Sequence, residues 1–118
     1  MALYTALVVD DDPLVLDVLK QVLAEPGFNV VTARDGYEGI RILADRHIDL
    51  LITDIKMPGL DGVQFGVQAK LMRPRLRIVY ITAFADQAAK AQYGRIVEKP
   101  VRAAELVEIV NREMAAGR

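Results

Sequence analysis

Residues 10 to 12 of this chain are three consecutive aspartates, Asp10-Asp11-Asp12, placed directly after an apolar run. A fourth acid, Asp54, ends a second apolar run, Leu50-Leu51-Ile52-Thr53, just before a Met-Pro-Gly turn. Thr82 closes a third run and Lys99 follows a fourth. Carboxylates that meet in one place repel each other, so they must take up protons, separate or bind a cation. Oxygen ligands with open positions suit Mg²⁺, which keeps waters and often shares its site with a phosphate. A lysine and a hydroxyl beside it supply a positive charge and a donor. Carboxylate nucleophile, Mg²⁺, Lys and hydroxyl together describe an aspartyl-phosphate site, where most of the work is neutralising charge on the phosphoryl oxygens.

The three consecutive acids separate by role. Pro13 suits a first helical position, where its missing N–H is no loss. Asp12 then becomes the helix N-cap, and Asp10 and Asp11 remain for a metal.

Something must bring these groups together, and the chain alternates in a way that does so. Strands are expected at Tyr4–Val9, Phe28–Ala33, Ile48–Thr53, Leu76–Thr82 and Arg95–Glu98. Helices are expected at Pro13–Glu25, Gly36–Arg46, Gly62–Arg73, Phe84–Gln92 and Ala103–Ala116. The first carries Val15, Leu19, Val22 and Leu23 inward, the second Tyr37, Ile40 and Leu43, the last Leu106, Val107, Val110 and Met114. Such alternation means a parallel sheet with helices on both faces, joined by right-handed crossovers. In open sheets of this class, sites form at the carboxyl ends of the strands, where Asp10, Asp11, Asp54, Thr82 and Lys99 all stand.

The 118 residues predict one domain, residues 1 to 118, large enough to fold without a staple. A net charge of −1 carries no basic field for nucleic acid. The Arg73, Arg75, Arg77 cluster reads as a solvated loop. There is no Cys, hence no thiol chemistry. The opening MALYTALVVDDD lacks the basic region of a signal peptide, and no apolar run approaches a membrane span, so a soluble cytoplasmic protein is expected. Asp61 reads as the N-cap of the helix from Gly62, Met57 and Pro58 as turn and packing residues, and Gly59 and Gly62 as positions with backbone angles other residues avoid. His47 has no partner acid evident in the sequence and reads as solvated or structural, not as a phospho-relay histidine.

Four segments in order, "LVVDDDP", "LLITDIKMPGLDG", "VYITA" and "EKP", resemble the receiver domains of two-component response regulators, and the likeness spans essentially the whole chain. The resemblance implies an α/β, doubly wound, five-stranded parallel sheet of the flavodoxin/CheY-like kind with strand order 2-1-3-4-5. It implies Asp54 as phosphoacceptor, Asp10, Asp11, Asp54 and the backbone carbonyl of Lys56 as the Mg²⁺ site, Thr82 and Lys99 as partners of the phosphoryl group, and a cis Lys99-Pro100 bond. It further implies a histidine kinase or histidine phosphotransfer protein as phosphodonor and a downstream effector protein as partner, while the charge and the lack of a membrane span lead to an expectation of no direct contact with nucleic acid or membrane. The chain is then a phosphoacceptor that assists its own phosphorylation and dephosphorylation, not an enzyme in the usual sense.

Three departures from the family touch its output face. Ile96 replaces an aromatic and is expected to be buried in the last strand. Val101 follows Pro100 where Phe is common. The stretch from Thr82 to Lys99 is short, which makes residues 83 to 94 the expected moving part. Two alternatives stay in view: a degenerate receiver that acts as a phosphorylation-independent interaction module, and a haloacid-dehalogenase-like phosphatase with Asp10 as nucleophile. A flavodoxin-like cofactor binder lacks the Ser/Thr-rich loop it would need after the first strand.

Overall fold

A computed structural model describes residues 4 to 83 and 93 to 116. The elements are β1 (Tyr4–Val9), α1 (Pro13–Ala24), β2 (Phe28–Ala33), α2 (Gly36–Asp45), β3 (Leu50–Asp54), α3 (Gly62–Met72), β4 (Arg77–Thr82), β5 (Arg95–Glu98) and α4 (Ala103–Ala116). The expected helix at Phe84–Gln92, and most of the segment 83 to 94 expected to move, lie outside the described residues. All five strands are parallel in the order β2-β1-β3-β4-β5, as the resemblance implied.

Helix boundaries follow the caps. Asp12 is the N-cap of α1 and its carboxylate accepts from Leu14 N–H at 3.0 Å, with Pro13 the first helical residue. Asp35 and Asp61 cap α2 and α3 in the same way, through Glu38 N–H and Gln64 N–H. Glu25, Arg46 and Arg73, expected inside their helices, are C-cap residues instead. β3 begins at Leu50 rather than Ile48, and Asp49 just before it is tied to β1 through both backbone and side chain. The Asp49 N–H donates to Thr5 O at 2.9 Å and its carboxylate accepts from Thr5 N–H at 2.8 Å.

The sheet separates two apolar cores. One joins alternate strand residues, among them Leu7, Leu51 and Tyr80, to Leu43 of α2 and Phe65 of α3. The other joins Val8, Ile52 and Val79 to Leu16 and Leu23 of α1 and Val110 of α4. Strand alternation sends successive side chains to opposite cores, so each central strand is mostly apolar on both faces.

The helix stripes need correction. Leu16 and Leu23 are the buried residues of α1, with Leu19 and Val22 only partly covered, and Ile109 lies deeper in α4 than Val107. Tyr37 is exposed and leans over Gly59, where a Cβ would meet its ring at 3.0 Å. Ile96, expected to be buried, is 38% exposed. β5 is an edge strand with a neighbour on one side only, and of its four residues Val97 alone faces a core. His47, expected to lack a partner, bonds Asp49 Oδ1 at 2.8 Å while staying exposed. The arginine cluster is anchored more than a solvated loop would be. Arg73 donates to Leu43 O at 2.6 Å and Met72 O at 3.1 Å, and Arg77 reaches Glu113 at 3.5 Å.

Candidate functional site

β1 and β3 are neighbours, and their pairing ends with Val9 opposite Thr53. The next residues are therefore Asp10 and Asp54, side by side at the carboxyl edge of the sheet. β4 pairs on the other side of β3 and places Ile81 opposite Asp54, with Thr82 one residue beyond. Thr82 is buried, and its carbonyl accepts from Lys99 N–H at 2.8 Å. That bond ties the residue after β5 to the end of β4. Lys99-Pro100 is a cis peptide.

Lys99 then reaches back across the edge. Its Nζ donates to Asp54 Oδ2 at 3.0 Å and lies 3.7 Å from Asp10 Oδ2. Asp10 is only 4% exposed. Its Oδ1 accepts from Asp12 N–H at 2.9 Å. The acidic run thus folds on itself, and Asp12 is spent on the helix cap. One carboxylate oxygen from each of Asp10, Asp11 and Asp54 lies within 4.8 Å of the others. Among the described residues this is the one group of three acids that converges so.

Burial pushes the Asp10 carboxyl above its ordinary range, and the Asp54 and Asp11 charges add to the rise. The Asp12 N–H and the Lys99 charge pull the other way without cancelling it. Burial alone would lower the Lys99 ammonium, but its hydrogen bond to Asp54 and the charges of Asp54 and Asp10 outweigh that and hold it above its ordinary value. Lys99 is therefore a fixed positive charge at neutral pH. Three carboxylates against one ammonium leave the corner under-neutralised. Hard oxygen donors at this spacing fit a small divalent cation such as Mg²⁺. The structure thus brings Asp10, Asp11, Asp54 and Lys99 into contact range, with Thr82 on the adjoining strand end. Lys56 lies two residues past Asp54, and its N–H donates to Asp54 Oδ1 at 3.2 Å.

The sequence reading missed one residue beside Asp54 and misread another. Thr53 is buried and its hydroxyl donates to Asp54 O at 2.9 Å. Gly62 is glycine for space and not for backbone angle, since its φ is not positive and a Cβ there would sit 2.1 Å from Asp54 O. Gly59, by contrast, does have φ +77°. The signal for Thr53 was a hydroxyl in an otherwise apolar central strand.

Next to this corner lies a groove of about 400 Å³, lined by Asp54, Lys99 and Pro100 on one side and by Leu14, Val15 and Val18 of α1 on another. Leu14 is 73% exposed. Among the described residues no helix is long and apolar enough to cross a membrane.

Comparison with known proteins agrees with this geometry. The transcriptional regulatory protein GlrR of Escherichia coli K12 is 37% identical over 100 residues, covering 80% of this chain and 22% of that protein. The DNA-binding transcriptional regulator NtrC of the same strain is 35% identical over 113 residues, covering 92% of this chain and 24% of NtrC. The chain thus spans less than a quarter of either relative. A response regulator receiver domain protein from Clostridium thermocellum superposes with a TM-score of 0.87 at 30% identity, over 97% of this chain and 96% of that one. The response regulator TrrA of Thermotoga maritima, solved with Mg²⁺ and a beryllofluoride, superposes with a TM-score of 0.84 at 30% identity, over 94% and 99% of the two chains. The response regulator receiver domain model matches residues 6 to 111, and the chain belongs to that family.

Proposed function

We propose that this receiver accepts a phosphoryl group on Asp54, in a Mg²⁺-dependent reaction, from a phosphohistidine of a histidine kinase or histidine phosphotransfer protein. The observation that carries the reading is the contact of Lys99 Nζ with Asp54 Oδ2 at 3.0 Å, at a corner where Asp10 and Asp11 converge. An Asp54 carboxylate oxygen attacks phosphorus, the P–N bond breaks, and the imidazole leaves and takes up a proton. Lys99 pairs with the transferring oxygens and the Thr82 hydroxyl donates to one of them. Asp10, Asp11, Asp54 and the Lys56 carbonyl would hold the Mg²⁺, which when bound supplies charge neutralisation for the phosphoryl oxygens. Asp10 and Asp11 need do no chemistry beyond this.

In this reading the chain is a phosphoacceptor and not a turnover enzyme. It works in the cytoplasm and signals by a change in its partner-binding surface toward a downstream effector. GlrR and NtrC are named as transcriptional regulators. With net charge −1 this chain brings no basic field of its own to nucleic acid, so effector contact rather than direct DNA contact is proposed. The apolar α1 flank of the groove, Leu14 and Val18, suits docking of the phosphodonor because it adjoins Asp54. A phosphatase with Asp10 as nucleophile is disfavoured by the burial of Asp10 and by its bond to Asp12 N–H. A degenerate module is disfavoured by the complete set of acids, Thr82 and Lys99.

Incubation with acetyl phosphate and Mg²⁺, followed by mass spectrometric mapping, should place the label on Asp54 and lose it in Asp54→Asn. A label on Asp10, or an Asp54→Asn protein that still takes label, rejects the assignment.

A further inference from the structure

Asp54 is the last residue of β3, one step past the end of its pairing with β1. Strand ends usually fray, yet the peptide between Asp54 and Ile55 is held. Thr53 Oγ1 donates to Asp54 O at 2.9 Å from a fully buried side chain. Gly62, the first residue of α3, packs on the same oxygen so closely that a Cβ would lie 2.1 Å from it and 2.6 Å from Ile55 Cα. Gly62 N–H donates to Ile55 O at 2.7 Å.

This peptide matters because of what hangs from it. The Asp54 side chain leaves from its N-terminal end. Lys56 follows its C-terminal end and returns its N–H to Asp54 Oδ1 at 3.2 Å. A tilt of the peptide therefore turns the carboxylate and shifts Lys56 together. A buried β-branched residue at position 53 could be Val, which packs equally well and carries no hydroxyl to desolvate. Among the described residues the hydroxyl makes one bond, to Asp54 O.

We infer that Thr53 is a positioning residue for Asp54: its buried hydroxyl fixes the 54–55 peptide against Gly62, and so sets the direction in which the Asp54 carboxylate meets its phosphoryl donor. The inference rests on Asp54 being the phosphoacceptor. Small misplacements of a reacting group cost rate steeply.

The test compares Thr53→Val and Thr53→Ser with the parent protein, using acetyl phosphate at saturating Mg²⁺. Thr53→Val should label roughly fivefold more slowly, the rate equivalent of one ordinary hydrogen bond, with the fold intact by circular dichroism. Thr53→Ser, which keeps the hydroxyl and loses the methyl, should recover most of the rate. A Val variant as fast as the parent, or a Ser variant as slow as Val, overturns the inference, because packing and not the hydroxyl would then be what position 53 supplies. If the parent itself takes no label on Asp54, the phosphoacceptor reading fails separately. The Lys56 amide resonance still decides the positioning role: it should move in Thr53→Val and return in Thr53→Ser, and no movement in Thr53→Val overturns it.

Discussion

Replacing Asp11 by Asn should make the metal-free protein more stable and at the same time remove its response to Mg²⁺. Asp11 has a carboxylate oxygen within 4.8 Å of those of Asp10 and Asp54. Asp11 is exposed, so water screens it, and at that distance each ionised pair costs about 1 kcal/mol or less. Removing one charge from two such pairs should stabilise the metal-free fold by roughly 1 kcal/mol at low salt. For a chain of 118 residues the unfolding entropy near the midpoint is about 250 cal/mol/K, so this is a rise in Tm of about 4 °C. Mg²⁺ acts in the opposite direction on the pair of proteins. At a hundredfold excess over its Kd it should stabilise the parent by about 2.7 kcal/mol, or about 11 °C. In Asp11→Asn one ligand charge is gone and most of that shift should vanish. Calorimetric melts of both proteins with EDTA and with excess Mg²⁺ should therefore cross: the variant melts higher in EDTA, the parent higher in Mg²⁺. An Asp11→Asn protein that melts lower in EDTA, or that keeps the full Mg²⁺ shift, refutes the picture of an under-neutralised corner waiting for a cation.

Three further outcomes follow from the structure. If Asp54 is phosphorylated, Lys56→Asn should shorten the lifetime of the acyl phosphate by roughly tenfold, since a lysine two residues past the acceptor can supply a charge-assisted bond of about 1.5 kcal/mol; unchanged decay of isolated phosphoprotein tells against that role. Tyr80→Phe should raise stability to urea by about 1 kcal/mol, because the Tyr80 hydroxyl is buried and has no hydrogen-bond partner among the described residues; a loss of stability would mean that the hydroxyl is bonded after all. Burial raises the Tyr80 phenol above its ordinary value of 10.0, so its neutral form favours the fold fully below pH 10 and that share is lost as pH rises through the higher folded value. A phenolate absorbance titration of the parent should accordingly show a late component that Tyr80→Phe lacks.

The sheet and most of the candidate site were legible in the sequence for one physical reason: Asp10, Asp54 and Thr82 stand where an apolar run stops. Period-two burial over a central strand leaves an uninterrupted apolar run, and the carboxyl edge is marked by whatever polar residue comes next. Asp10, Asp54 and Thr82 were found this way, while Lys99, preceded by Glu98, stands out by its place after the last strand and before Pro100. Residues whose role lies in a single bond or one close packing contact were not found. Thr53 looked like an ordinary β-branched strand residue, and its local bond to the next carbonyl leaves no periodic trace. Gly66 stands in the middle of α3, where glycine costs about 1 kcal/mol against alanine. Its reason is Tyr80, whose Oη would lie 2.1 Å from a Cβ there. Ile96 was misplaced although the expected strand order already put its strand at the edge, because apolar composition does not say which residues of an edge strand face outward.

The two cores on opposite faces of the sheet have a consequence for how such a chain can change over time. Leu43 and Phe65 belong to one, Leu16 and Val110 to the other, and a layer of backbone lies between them. Energetic effects at sites that share no neighbours usually add. The costs of loosening α2 or α3 and of loosening α1 or α4 should therefore sum with little coupling, both drawn from the same folding free energy. Repacking around α2 and α3 on the far face therefore need not reshape α1, the helix that borders the groove beside Asp54.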